Sequence, residues 1–217
     1  MRRNIIIIGV MAVIVIAGFW LLLSKTKGFF DVKLPVMSYV QPFSFTDQNG
    51  KEVTEHNFDG KVYVAEYFFT TCKGICPKMN ANMQTVYEKY KGDKDFAILS
   101  HTSMPETDSV PLMKKYEEKM IGKNPAFAAH WYFVTGSKDS LYKMARQSYL
   151  LDNDQNNYTN IEDEFIHTQF FALVDKEKRV RGIYDGLILD EITRLNKDIK
   201  ELLAEPDESD NVQTAGK

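Results

Sequence analysis

The sequence predicts an α/β fold built on a partly parallel sheet, and three observations carry that reading. Residues 62–69, Val-Tyr-Val-Ala-Glu-Tyr-Phe-Phe, are β-branched and aromatic in a run of the right length for a buried strand. Shorter apolar runs follow at 96–99 and 131–134, separated by segments of helical periodicity. Strands alternating with helices imply parallel neighbours covered on both faces, because the crossover helices must pack against the sheet.

In chain order, residues 5–23 come first, uncharged and almost wholly apolar. As a helix they would extend about 28 Å, enough to cross a hydrocarbon layer. A cleaved signal peptide is the alternative. The length of the run, and the lack of a small-x-small site in Ser24-Lys25-Thr26-Lys27, favour an uncleaved single-pass anchor behind a short tail, 1–4. Arg2 and Arg3 precede the span while Lys25, Lys27 and Lys33 follow it, so the positive-inside count does not orient it. The expected arrangement is an anchor in the cytoplasmic (inner) membrane with the soluble domain on the extracytoplasmic (periplasmic) side, where disulfides persist.

Residues 24–41 read as a linker and 42–203 as the folded domain. Residues 43–46 and 51–54 flank Asp47-Gln48-Asn49-Gly50, and Asn-Gly is a strong hairpin signal, giving an N-terminal β-hairpin extension. After the central strand, Pro77 suits the first turn of a helix over 77–91, where its missing N–H would have no partner. Met79, Met83, Val86, Tyr87 and Tyr90 fall on one side of that helix. A strand at 96–99, a helix at 108–120, a strand at 131–134 and a helix at 138–148, capped by Ser137, come next. Residues 152–164 read as a polar loop rich in Asn and Asp. A hairpin follows, 167–174 and 179–184, then an amphipathic helix over 189–203 and a polar tail, 204–217, expected to be disordered. A cysteine pair at the end of the central strand, with a closing hairpin, is the plan of a thioredoxin-like fold.

The chain has two cysteines, Cys72 and Cys76, on the turn between the central strand and the following helix. Ligands of such sheets gather at that edge. Free N–H groups of the helix, and Lys73 beside them, are expected to favour thiolate. The Cys-x-x-x-Cys spacing allows a disulfide and also lets two sulfurs spread around a soft ion. Two thiolates suit Cu(I); an added imidazole suits copper or zinc. Of four histidines, His56 and His130 read as structural, His101 follows the strand 96–99 toward the cysteine edge, and His167 opens a late strand. Spacing alone does not choose between the last two. Met79 and Met83 read as core at their helical spacing, with an auxiliary thioether pair as the alternative. Asp163 and Glu164 would orient His167 or simply end a solvated loop. A net charge of −3 and no basic stripe point away from nucleic acid as a partner.

The segment from Phe68 through Cys72 and Cys76 to Met79 resembles the Cys-x-x-x-Cys-Pro signature of the Sco/SenC family, membrane-anchored thioredoxin-like proteins of cytochrome c oxidase copper-centre assembly. Pro105-Glu106-Thr107-Asp108, with Leu112 and Tyr116, is similar to that family's Asp-Pro-Glu-x-Asp segment. Phe165-Ile166-His167-Thr168, and the hairpin carrying Asp175, Gly182 and Gly186, are similar to its late His segment. The resemblance spans about 42–203 together with the anchor. It implies Cys72, Cys76 and His167 as ligands of copper, as Cu(I) or Cu(II), and a copper-receiving subunit of a respiratory oxidase as partner. Lys73-Gly74 stand where the family usually has Pro-Asp, and Met104 replaces its aspartate. Two readings follow: a copper chaperone, or a thiol–disulfide reductase that keeps a partner's copper-site cysteines reduced. In the second, Cys72 attacks and Cys76 resolves. Either needs an upstream thiol reductant in an oxidising compartment. A thiol peroxidase is poorer, since Phe69 stands where Thr-x-x-Cys would need threonine. A purely structural Cys72–Cys76 disulfide would close too short a loop to stabilise much.

Overall fold

The computed structural model describes residues 2–25, 33–123, 131–152 and 168–206. The chain divides into two compact units, Met1–Leu34 and Pro35–Lys217. The first holds one helix, α1 (Arg2–Lys25), whose described side chains are Ile7 and those of residues 9–20; Val13, Val15 and Trp20 are exposed. Among the described residues no helix is long and apolar enough to cross a membrane.

The second unit is built on strands β1 (Ser38–Tyr39), β2 (Ser44–Asp47), β3 (Glu52–Thr54), β4 (Val62–Phe68), β5 (Phe96–Thr102), β6 (Trp131–Thr135), β7 (Phe170–Val174) and β8 (Arg179–Asp185). Its helices are α2 (Cys76–Tyr90), α3 (Val110–Ile121), α4 (Lys138–Lys143) and α5 (Leu189–Ala204). The strands make one sheet in the order β1-β8-β7-β4-β5-β6-β2-β3. β4, β5 and β6 are parallel, and every other pairing is antiparallel. This is the α/β arrangement expected, with the hairpin β2–β3 added at one edge through β6. Asp47 shapes that hairpin's turn: its carboxylate accepts from the N–H of Asn49 and of Lys51, and Gly50 takes the positive φ of 75° that an L side chain resists.

All seven residues of β4 are buried, as a central strand covered on both faces requires. Successive side chains alternate between the faces. Val62, Val64, Glu66 and Phe68 share one face with Phe96, Ile98, Ser100 and Thr102 of β5; Tyr63, Ala65 and Tyr67 share the other with Ala97, Leu99 and His101. Helices α2, α3 and α5 cover the first face. Met79, Met83 and Val86 of α2 are at most 1% exposed, which makes the two methionines core and not a thioether pair facing the site. The second face packs Phe45, Phe58, Leu141, Met144 and Tyr149 against the sheet.

Three elements differ from expectation. Residues 38–39, read as linker, pair with Val180 and Arg179 as an edge strand. β5 runs three residues past the apolar stretch, through Ser100, His101 and Thr102, because partners within the fold take their polar groups. The helix expected over 138–148 is α4, capped by Ser137 as foreseen, followed by a π-helical turn at Met144–Ser148. The tail beyond residue 206 and most of the polar loop, 153–167, lie outside the described residues.

Candidate metal centre

β4 delivers the chain to the carboxyl edge of the parallel strands, and a turn over residues 69–75 leads to the first helical residue, Cys76. Pro77 follows within the first turn. Cys72 is half-buried and Cys76 is 5% exposed; both are free thiols, and Cys72 lies close enough to raise the Cys76 thiol. The two sulfurs are therefore neighbours, one reachable from solvent and one beneath it.

The expectation that the helix N-terminus holds both sulfurs as thiolates fails for Cys76. Burial pushes its thiol up to about 12, the adjacent Cys72 adds to the rise, and the charge of Glu66 adds a little more; the backbone of Phe69 opposes them. Loss of water costs the anion more than the dipole returns. Lys73 is exposed, so solvent screens its charge.

Three polar groups lie on the face of the sheet that carries the cysteine turn. Glu66 is fully buried, its Oε1 accepting from Ser100 Oγ at 2.6 Å while Ser100 Oγ accepts from Trp131 Nε1 at 2.9 Å. Its Oε2 has no partner among the described residues, and burial raises the carboxyl to about 7. The Tyr116 ring stacks on Phe68 at 4.9 Å, and its hydroxyl accepts from the Asn80 amide. Burial, with Glu66 and Cys76 nearby, holds that hydroxyl above the usual tyrosine range. Asp108 is fully buried and accepts from Thr70 Oγ1 at 2.6 Å and Thr102 Oγ1 at 2.5 Å.

His101 does not join them. The continuation of β5 turns it to the opposite face, where it is fully buried, stacked on Tyr67 at 4.9 Å and edge-on to Phe45 at 5.5 Å. Its Nδ1 lies 3.3 Å from the Glu66 carbonyl, its Nε2 is unpartnered among the described residues, and burial drives it down to about 3. His56 is exposed beside Asp59 at 3.2 Å, structural as read. His130, His167, Asp163 and Glu164 lie outside the described residues. Among those described, no group of three or more His, Cys, Asp or Glu side chains is placed to hold a metal ion.

Sequence reasoning missed Glu66 as a feature of the site, though a lone carboxylate inside an otherwise apolar strand was the available signal. Asp108 stood out only as part of a motif; its role as an acceptor needs the fold.

The SCO1/SenC family model matches residues 33–204. The chain belongs to the SCO1/SenC family. It is 31% identical over 161 residues to the SCO1 protein homolog of Bacillus subtilis, a match covering 72% of this chain and 79% of that one. BsSco, solved as a member of the Sco family of cytochrome c oxidase assembly proteins in which a disulfide switch was identified, is 28% identical with a TM-score of 0.66. That match covers 81% of this SCO1/SenC chain and 99% of BsSco. Arabidopsis thaliana ScoI with copper bound, at 24% identity and a TM-score of 0.58 over 76% of this chain and 99% of that one, shares the fold. The α/β domain is thus the thioredoxin-like Sco fold.

Proposed function

We propose that this SCO1/SenC protein is a membrane-anchored copper chaperone, taking copper at Cys72, Cys76 and His167 and passing it to the copper centre of a respiratory oxidase. The observation that carries the reading is the pair of free, adjacent sulfurs at the carboxyl edge of the sheet, one half-exposed and one buried. Two thiolates are a soft donor set, the kind that selects Cu(I). Family membership and the copper-bound relative support copper as the cargo. Binding must displace both thiol protons. Burial holds the proton on Cys76, which copper would have to displace, and Cys72 is the sulfur an acceptor would reach first. His167 is proposed as the third ligand on the resemblance of its segment to the family's. The apolar stretch 5–23 is proposed as the anchor, with the domain on the periplasmic side.

The same asymmetry favours a second reading, a thiol–disulfide reductase. The thiolate of Cys72 would attack a partner's disulfide and expel one partner thiol. Cys76 would then lose its proton, displace the second, and close Cys72–Cys76. An upstream thiol reductant would reopen it.

Anaerobic titration of the reduced full chain with Cu(I) against a competing chelator, and with Cu(II) by absorbance, separates the two. The wild type should bind one equivalent. Cys72→Ser and Cys76→Ser should each lose tight Cu(I) binding. His167→Ala should weaken Cu(I) and lose Cu(II) while leaving disulfide exchange intact. Unchanged copper stoichiometry and affinity in His167→Ala would remove the three-ligand site and leave the reductase.

A further inference from the structure

The turn that carries the cysteines has little of its own to hold it. Thr71, Lys73, Gly74 and Ile75 are exposed, and Cys72 N–H donates back to the Phe69 carbonyl at 3.2 Å. Fixing such a stretch costs about 1–2 kcal/mol per residue in backbone entropy. It is fastened to the neighbouring β5–α3 turn at its root. Ser103 N–H and Ser103 Oγ both donate to the Phe68 carbonyl, at 2.8 and 3.1 Å. Two residues further on, Thr70 donates twice to Asp108: its N–H at 3.2 Å and its Oγ1 at 2.6 Å.

Asp108 is built to receive these bonds. Its carboxylate is fully buried, and among the described residues no cation pairs with it. Hydroxyls and one N–H take a cation's place, with Thr102 Oγ1 as the third donor at 2.5 Å. Bonds to an ionised acceptor are about twice as strong as neutral ones. The carboxylate is itself fixed, because Asp108 N–H donates to the Met104 carbonyl at 2.9 Å while Met104 N–H donates to Thr102 Oγ1 at 3.0 Å. Thr70 lies two residues from Cys72, so a shift there passes directly into the outer sulfur.

We propose that Asp108 is the positioning residue of the sulfur pair: through Thr70 it holds the cysteine turn against the β5–α3 turn, and so sets where Cys72 sits relative to Cys76. The copper consequence rests on the chaperone reading above; the sulfur geometry does not. Asparagine at 108 would offer one acceptor oxygen where two are used and turn an N–H₂ toward the donors.

Two readouts test this on the full chain: Cu(I) affinity by competition with bicinchoninate, and the Cys72–Cys76 potential by equilibration with glutathione. Asp108→Asn and Thr70→Val should each weaken Cu(I) by about tenfold, the size of one bond to a charged acceptor. They should shift the glutathione equilibrium by a similar factor, about 30 mV. Thr70→Ser, which keeps the hydroxyl, should restore both. Thr102→Val removes a bond to the same carboxylate and the Met104 tether but leaves both Thr70 bonds, so it should lower the unfolding midpoint and move the sulfur readouts less than Thr70→Val does. The proposal is overturned if Thr70→Val behaves as wild type, or if Thr102→Val moves the sulfur readouts as far. Should Asp108→Asn fail to fold, the threonine variants decide the matter alone. Wild type that takes no copper would sink the chaperone reading, while the potential would still test Asp108.

Discussion

Glu66 and His101 sit on adjacent strands one step out of register, both fully buried, and they face opposite ways. Glu66 looks toward α2 and α3, where its charge is felt at Cys76 and Tyr116. His101 looks into a wall of rings made by Tyr67, Phe45 and Tyr149. Burial disfavours the charged form of both, in opposite senses: the carboxyl is lifted and the imidazole depressed. The difference teaches that depth alone does not make a group functional. Of two equally buried ionisable side chains, only the one on the cysteine face can act on the sulfurs.

The most damaging way to break the contrast is Trp131→Ala. Trp131 is fully buried on the cysteine face, stacks on Phe133 at 5.2 Å, and donates to the Ser100 hydroxyl that supports Glu66. Stability should fall by about 3–5 kcal/mol, read from urea denaturation.

Next in size is the pH dependence. His101 should protonate near 6.5 when unfolded and only near 3 when folded, so stability is intact above 6.5 and falls as pH drops toward 3. Glu66 behaves inversely: the fold keeps its proton up to about 7 against an ordinary 4.5, so stability is full below 4.5 and falls as pH rises to about 7. Between 4.5 and 6.5 the two contributions cancel in the wild type. Glu66→Gln should expose a loss of about 1.4 kcal/mol per unit of falling pH in that window, and His101→Phe an equal loss per unit of rising pH. Denaturation curves at stepped pH measure both; two variants that track the wild type would refute the assignment of either group.

A smaller effect sharpens the difference at the sulfur. In a Cys72→Ser background, Glu66→Gln should lower the Cys76 thiol pKa and speed its alkylation at pH 9 by a few-fold, about what one removed charge is worth. His101→Phe should leave that rate alone. Smallest of all is Tyr149→Phe on the far face. It deletes only a 3.4 Å hydroxyl contact with Tyr63, so less than about 1 kcal/mol should be lost in the same denaturation assay.

Much of this architecture was readable before any coordinates. The apolar run of β4, the Asn49-Gly50 turn, the methionine and tyrosine side of α2 and the late hairpin all follow from period and turn chemistry, which are local. What escaped depends on partners far along the chain. Ser100, His101 and Thr102 read as loop because nothing in their own sequence supplies Glu66, Asp108 and a ring cage. Residues 38–39 carry no strand signal, and only the free edge of β8 recruits them. At the site, the cysteine pair was legible from its turn, and its edge from the topology. The protonation of Cys76 was not, because helix polarity can be read from sequence while loss of solvent cannot. The place of His167 lies outside the described residues.

The two ends of the sheet carry a further consequence. One closes on β1, two residues long, and the other on β3, three residues long. Neither offers a foreign strand more than a rung or two of backbone pairing, so end-on association between copies has almost nothing to grip. Cutting the chain after residue 41 would remove the pairing of β1 with Arg179 and Val180 of β8, and a fragment so trimmed should aggregate more readily than the longer one.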